Sequence, residues 1–154
     1  MSCKEPGRDY ATTAFIQYAA LGRPTRNQQE EKIKSEIHQR LAFEEPGFIV
    51  VRAAAALTER EGLLSDIDAV NRVISTLQRE GKGYIVDAIE AVYFPYAGYK
   101  HARGAITARV RRFALDYPAN EATVYRWLKT ARLLFCRERG MSVSSDYPSA
   151  KSCK

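Results

Sequence analysis

Arginine and lysine side chains are concentrated in one segment of the 154-residue chain. Residues 99–140 hold ten cations against three carboxylates, a net charge of +7, whereas residues 1–98 hold twelve cations against fourteen carboxylates. Cations grouped in this way attract polyanions, and guanidinium groups bind phosphate oxygens. The charge distribution therefore predicts a nucleic-acid-binding face between residues 99 and 140.

Residue types suited to catalysis or metal binding are few and poorly spaced. The two histidines, His38 and His101, have no partner at the spacing of a metal site or a Ser/His/Asp triad, and the three cysteines form no CxxC pair. We expect Cys136 to be a buried thiol. Asp66 and Asp68 fall where a helix is expected to start, which favours carboxylates without any catalytic role. The sequence thus predicts no enzyme activity, no metal and no cofactor.

Hydropathy gives no sign of a membrane protein. No run of about 18 apolar residues is present. Residues 1–8 also lack the apolar stretch of a secretory signal. We therefore expect no membrane contact and a cytoplasmic location.

Apolar residues recur at three- and four-residue spacing along most of the chain, which predicts an all-α protein. Thr25 with Gln28 three residues later predicts a capping box. Residues 48–51 are β-prone in isolation, but the alanines that follow favour a helix. Ser65 is expected to cap another helix. Helices are predicted over about residues 9–21, 25–44, 48–57, 65–80, 84–94, 101–116 and 121–139.

Residues 111–129 meet the requirements of a helix-turn-helix, in which two short helices pack at a steep angle and the second is free to enter the major groove. Ala114 supplies the small residue at the crossing, and Asn120 is a strong N-cap for the second helix. Val124 and Trp127 are expected to point inward, Trp127 as a core residue rather than a base-stacking one. The other apolar positions of the motif are Phe113, Tyr117, Ala119 and Leu128.

Two stretches resemble known regulators. The run Thr123-Val124-Tyr125-Arg126-Trp127-Leu128-Lys129 resembles a recognition-helix sequence of phage and bacterial regulators, and residues 67–140 resemble the sigma-factor-region-4-like part of the RinA/ArpU group of phage late-transcription regulators. The second likeness is carried by Val73, Ile74, Leu77, Ile85, Tyr93, Phe94 and residues 131–135. The resemblance implies a regulator of late genes in a bacterial host cell, with duplex DNA and RNA polymerase as partners.

One residue departs from the usual motif. Many such turns carry glycine, whereas this chain has Pro118, whose ring fixes φ near about −65°. Proline also pushes Tyr117 out of helical geometry. We therefore expect a turn with a different backbone path.

The resemblance implies that the second helix of the motif docks in the major groove of DNA, and this gives each of its exposed side chains an expected role. Arg126 is expected to grip guanine O6 and N7, and Asn120 either caps its helix or pairs with adenine. Tyr125 and Lys129 suit phosphate or thymine-methyl contacts. The base-contacting set is Asn120, Glu121, Ala122, Tyr125, Arg126 and Lys129, and the set on the DNA backbone is Arg103, Arg109, Arg111, Arg112, Thr123 and Arg132.

The sequence suggests three parts. Residues 1–62 form a helical region for oligomerisation or partner contact, residues 63–140 the DNA-binding domain, and residues 141–154 a flexible tail. Ile33, Ile37 and Leu41 form an apolar stripe that fits a homodimer seam and packing within the chain equally well. A Q-type antiterminator and a DNA-packaging protein similar to a small terminase subunit remain alternatives.

Overall fold

The structure describes Glu5 and residues 7–96 and 104–141. All the regular secondary structure in this part of the chain is helical. In this computed structural model it contains seven α-helices, a short 3₁₀ helix at Phe94–Tyr96 and no β-strand. The helices are α1 (Arg8–Ala20), α2 (Arg26–Arg40), α3 (Pro46–Glu59), α4 (Glu61–Arg79), α5 (Gly83–Val92), α6 (Ala105–Asp116) and α7 (Glu121–Glu138). The all-α prediction is confirmed. None of these helices is both long and apolar enough to cross a bilayer.

Helices α1, α4, α5 and α7 share the main core. Phe15 of α1 stacks on Tyr93, with ring centroids 5.8 Å apart, and packs against Phe135 of α7 at 5.7 Å. Leu77 of α4 is fully buried in the same cluster. The first helix therefore completes the core of the region predicted to bind DNA, and the predicted boundary at residue 62 lies inside α4.

Helices α2 and α3 form a hairpin that packs on α4. Thr25 Oγ1 accepts from the Gln28 N–H at 3.1 Å, and Gln28 Oε1 accepts from the Thr25 N–H at 2.9 Å, which confirms the capping box. Ile37 is buried against Ile49 and Ala53 of α3. Ile37 belongs to the apolar stripe that fitted a homodimer seam and internal packing equally well, and it therefore packs within the chain.

The start of α4 differs from the prediction. The helix begins at Glu61, and the Ser65 hydroxyl donates to Glu61 Oε2 at 2.8 Å instead of capping a helix. Asp66 and Asp68 consequently lie inside α4, not at its first turn. Asp66 pairs with Arg139 at 2.7 Å, so its carboxylate links α4 to the end of α7.

Gly7, which directly precedes α1, lies close against α7. Gly7 has φ +73°, and a Cβ atom at this position would stand 2.8 Å from the Sγ of Cys136. Only glycine satisfies both the left-handed backbone and this close approach. Cys136 is fully buried, as expected, and burial raises the pKa of its thiol.

Candidate nucleic-acid interface

The connection between α6 and α7 follows from Pro118 and Asn120. Tyr117 is extended, with φ −119° and ψ 142°, as expected for a residue before proline. Asn120 is extended as well, and its side chain accepts from the Thr123 N–H at 2.8 Å. The predicted N-cap is confirmed. The cap fixes where α7 begins and leaves the side-chain NH₂ of Asn120 as its free donor.

An aromatic cluster holds this connection against the core. The Trp127 ring lies 4.8 Å from Tyr84 of α5 and 5.8 Å, edge-on, from Tyr117. Phe113 of α6 stacks on Tyr117 at 4.9 Å. Trp127 is thus half-buried among rings, the packing role the sequence predicted.

Tyr117 is anchored by its hydroxyl as well as its ring. The hydroxyl donates to Asp87 Oδ2 of α5 at 3.3 Å. Desolvation raises the pKa of Tyr117, and the Asp87 carboxylate acts in the same direction. The phenol therefore stays neutral and remains a donor at neutral pH.

The first half of α7 has one buried and one exposed side. Val124 and Leu128 are fully buried, whereas Ala122, Arg126 and Lys129 are exposed. Within the described chain, neither Arg126 nor Lys129 has a carboxylate partner, and Arg126 Nη2 donates only to Thr123 Oγ1 at 3.1 Å. These two cations are therefore available to an external anion.

The second half of α7 is built into the core, and this overturns one predicted contact. Arg132, assigned to the DNA backbone, is buried. Its Nε and Nη2 donate to the Glu5 carboxylate at 2.8 Å each, and its Nη1 donates to the Tyr93 hydroxyl at 2.9 Å. Arg132 follows Val124 and Leu128 at four-residue spacing, so it shares their buried side. Burial is the largest single influence and lowers the pKa of Arg132, but the hydrogen bonds and charge interactions with Glu5 and Tyr93 together outweigh it, so the pKa is raised.

Arg8 is a candidate that the sequence did not reveal. This first residue of α1 is exposed, and it lines a concave site of about 350 Å³ together with Arg126 and Lys129. Tyr125, Glu5 and Arg132 complete the wall. Residues 1–98 carry a net negative charge, so the sequence alone gave no reason to assign Arg8 to the basic face.

The remaining predicted residues divide by their surroundings. Glu121 and Arg111 are exposed and pair with each other at 3.5 Å, which links the start of α7 to α6. Arg112 is exposed and Arg109 is half-exposed on the same helix. Thr123 is half-buried in the first turn of α7. Arg103 lies outside the described residues.

The described residues offer no metal cluster: no group of three or more His, Cys, Asp or Glu is placed to hold an ion. His38 Nδ1 lies 2.9 Å from the backbone oxygen of Lys34, within its own helix. Comparison with protein-family models, characterised proteins and solved structures found no match to this chain.

Proposed function

We propose that the chain is a duplex-DNA-binding regulator whose α6–α7 pair acts as a helix-turn-helix. The supporting observation is that Arg126 and Lys129 project from the first half of α7, while Val124 and Leu128 hold the opposite side of that half in the core. A recognition helix needs both properties: a rigid attachment and an uncovered side that can enter the major groove.

Base reading is assigned to the first two turns of α7. Arg126 presents two parallel N–H donors, which suit guanine O6 and N7. Glu121 suits the N4 amino group of cytosine, at the cost of its exposed pair with Arg111. Asn120 holds the helix start with its oxygen, so only its NH₂ group is left for DNA.

Phosphate binding is assigned to cations on both sides of that helix. Arg8 and Lys129 line one concave site, and Arg112 with Arg109 lies on α6. Such contacts supply affinity that does not depend on base sequence. This affinity weakens at higher salt, because the release of counterions from DNA on binding is then less favourable. Arg132 has no part in this set.

The biological role is proposed from the resemblance. We propose a RinA/ArpU-like phage regulator that acts on late genes with RNA polymerase in the cytoplasm of a bacterial host. A reporter with a late promoter and a downstream terminator separates promoter activation from Q-type antitermination. Native mass spectrometry that finds a ring of many subunits would instead favour DNA packaging.

The decisive experiment is the sequencing of random DNA fragments retained by the whole protein at moderate salt. We expect one enriched motif. Arg126→Ala should weaken binding to that motif by about 1–3 kcal/mol and relax base preference at one position. Arg137→Ala is the matched control, because Arg137 is an exposed arginine in the last turn of the same helix.

Each outcome bears on a different part of the proposal. A mixture of short peptides with the same net charge serves as the control. If the protein retains no more DNA than these peptides do, DNA binding is refuted. If Arg126→Ala weakens motif and random DNA equally, the base-reading role is wrong. Equal effects of Arg126→Ala and Arg137→Ala would show that α7 does not dock by its first half.

A further inference from the structure

The α2–α3 hairpin exposes an apolar surface that its own chain does not cover. Phe43, in the turn between the two helices, is fully exposed, and Phe48, Val50 and Val51 of α3 are 48%, 63% and 65% exposed. These are four of the six large hydrophobic residues exposed in the described chain. We call the surface formed by Phe43, Phe48, Val50, Val51, the exposed Ala54 and the half-buried Ala55 the α3 face.

The α3 face is distinct from the side of α3 that packs on α2. Ile49 and Ala53 are buried in the hairpin, and Ala56 is packed against them. Val51 and Ala55 are four residues apart and lie on the other side of the helix. The apolar area of the α3 face is on the order of 500 Å², near the upper limit for a monomer surface without a partner.

Side-chain size changes from one end of the α3 face to the other. The two phenylalanines, Phe43 and Phe48, are at its N-terminal end, and Ala54 and Ala55 are at its C-terminal end. A second copy running antiparallel would place each Phe48 ring over the partner's alanines. A parallel copy would set ring against ring and leave a gap between the alanines, so size complementarity favours the antiparallel pair.

The charges around the α3 face also suit a second copy of this chain. Arg52 is the one charged residue between positions 46 and 58, although the whole protein carries +6. No ion pair within the described chain involves the charged residues at the rim, which are Glu44, Glu45, Arg52, Glu59 and Arg60. Antiparallel packing brings the end that holds Glu44 and Glu45 to the end that holds the partner's Glu59 and Arg60, whose charges cancel. Two copies of a basic protein can meet here without strong repulsion.

We infer that the α3 face is the interface of a two-fold homodimer in which α3 packs antiparallel to its copy. A two-fold axis makes the interface self-complementary, which suits the size gradient of the α3 face. The apolar area of about 500 Å² lies below the roughly 800 Å² per partner of a standard stable interface, so a weak, reversible pair to which the rim also contributes is expected. This inference does not depend on DNA binding.

Sedimentation of the whole protein between about 1 and 100 μM tests the inference, because this range covers the dissociation constants of weak, reversible pairs. We expect a monomer–dimer equilibrium. Val51→Lys should raise the dissociation constant more than about tenfold, since its ammonium group would be buried without a partner. Leu115→Lys is the matched control: Leu115 is 86% exposed on α6, and its substitution should leave the equilibrium unchanged.

A second variant guards against an effect on folding. Phe43 lies outside the helices and is fully exposed, so Phe43→Ser should weaken the dimer while leaving the monomer folded. A protein that stays monomeric throughout the concentration range would overturn the inference. So would a dimer that neither Val51→Lys nor Phe43→Ser weakens.

Cysteine cross-linking tests the orientation. In a Cys3→Ser, Cys153→Ser background, a mixture of Phe48→Cys and Ala55→Cys proteins should form a disulfide between copies, and Phe48→Cys alone should not. The buried Cys136 is left in place. Efficient cross-linking of Phe48→Cys to itself would show a parallel pair and refute the proposed packing.

Discussion

The carboxylate of Glu5 accepts two hydrogen bonds from the guanidinium of Arg132, each 2.8 Å long, across 127 positions of sequence. Both side chains are buried, with 8% and 7% of their surface exposed. The pair links Glu5 to the middle of α7. Arg8 follows Glu5 by only three residues, and it lines the same concave site as Arg126.

Removal of one member of this pair should be costly. Arg132→Met leaves the buried Glu5 carboxylate without its partner and should lower the free energy of unfolding by about 3–5 kcal/mol. The double variant Arg132→Met, Glu5→Leu should be closer to the native protein than the single one. Urea unfolding followed by circular dichroism measures both.

Arg137→Met is the control for this pair, since Arg137 is exposed on the same helix and should change stability by less than about 0.5 kcal/mol. A loss in Arg132→Met no larger than in the control would mean that Glu5 and Arg132 are not paired in solution.

The two helix caps should separate stability from DNA binding. Asn120→Ala and Thr25→Ala each remove a side-chain bond to a helix N–H and should cost about 1 kcal/mol of stability. Only Asn120→Ala should weaken DNA binding, because α2 lies outside the proposed interface. Thermal unfolding and fluorescence anisotropy with a labelled duplex supply the two measurements.

Asn120→Asp refines the test of the first cap. Aspartate caps a helix as well as asparagine does, so stability should be retained, while its charge should reduce affinity for DNA phosphates. Unchanged DNA affinity in Asn120→Asp would place residue 120 away from the duplex.

Arg8 should contribute to DNA affinity without contributing to base preference. Arg8→Gln should weaken binding to all duplexes alike and reduce the slope of log K against log salt by about 1, as expected for one lost phosphate contact. Arg40→Gln, at an exposed arginine of α2, is the matched control. A change in base preference, or an equal effect of the two variants, would contradict the assignment.

The ion pairs of Arg26 should make stability depend on pH. Arg26 Nη2 lies 2.6 Å from Glu61 Oε1, and this hydrogen bond lowers the pKa of Glu61. Because the pKa of Glu61 is lower in the folded protein than in the unfolded chain, the pair stabilises the fold at pH values above the ordinary glutamate pKa. This stabilisation is lost as the pH falls through the pKa of Glu61 in the folded protein. Arg26→Gln should therefore return the pKa of Glu61 toward its ordinary value and flatten the acid side of the stability profile.

Carboxyl chemical shifts followed by NMR across the acid range measure the Glu61 pKa directly. Arg52→Gln removes a cation from the neighbouring α3 and should leave the Glu61 pKa as it is. A Glu61 pKa that does not move in Arg26→Gln would mean that the pair is open in solution.

Local interactions were readable from sequence. The apolar spacing predicted an all-helical chain, Thr25 and Asn120 were identified as caps, and Pro118 predicted the extended Tyr117. Each of these features depends on residues within about four positions of one another, so composition and order determine them. Ser65 was misassigned because the helix already begins at Glu61, where no capping side chain marks the start.

Only the tertiary structure decided which side of each helix meets which neighbour. Arg132 pairs with Glu5, Arg8 lines the same concave site as Arg126, and α3 packs over Ile37. The sequence determines that a helix has an apolar side, but the partner for that side comes from distant parts of the chain. Burial and charge pairing depend on the packing of the whole chain, because a cation can bind an external anion only if no carboxylate of the protein lies beside it.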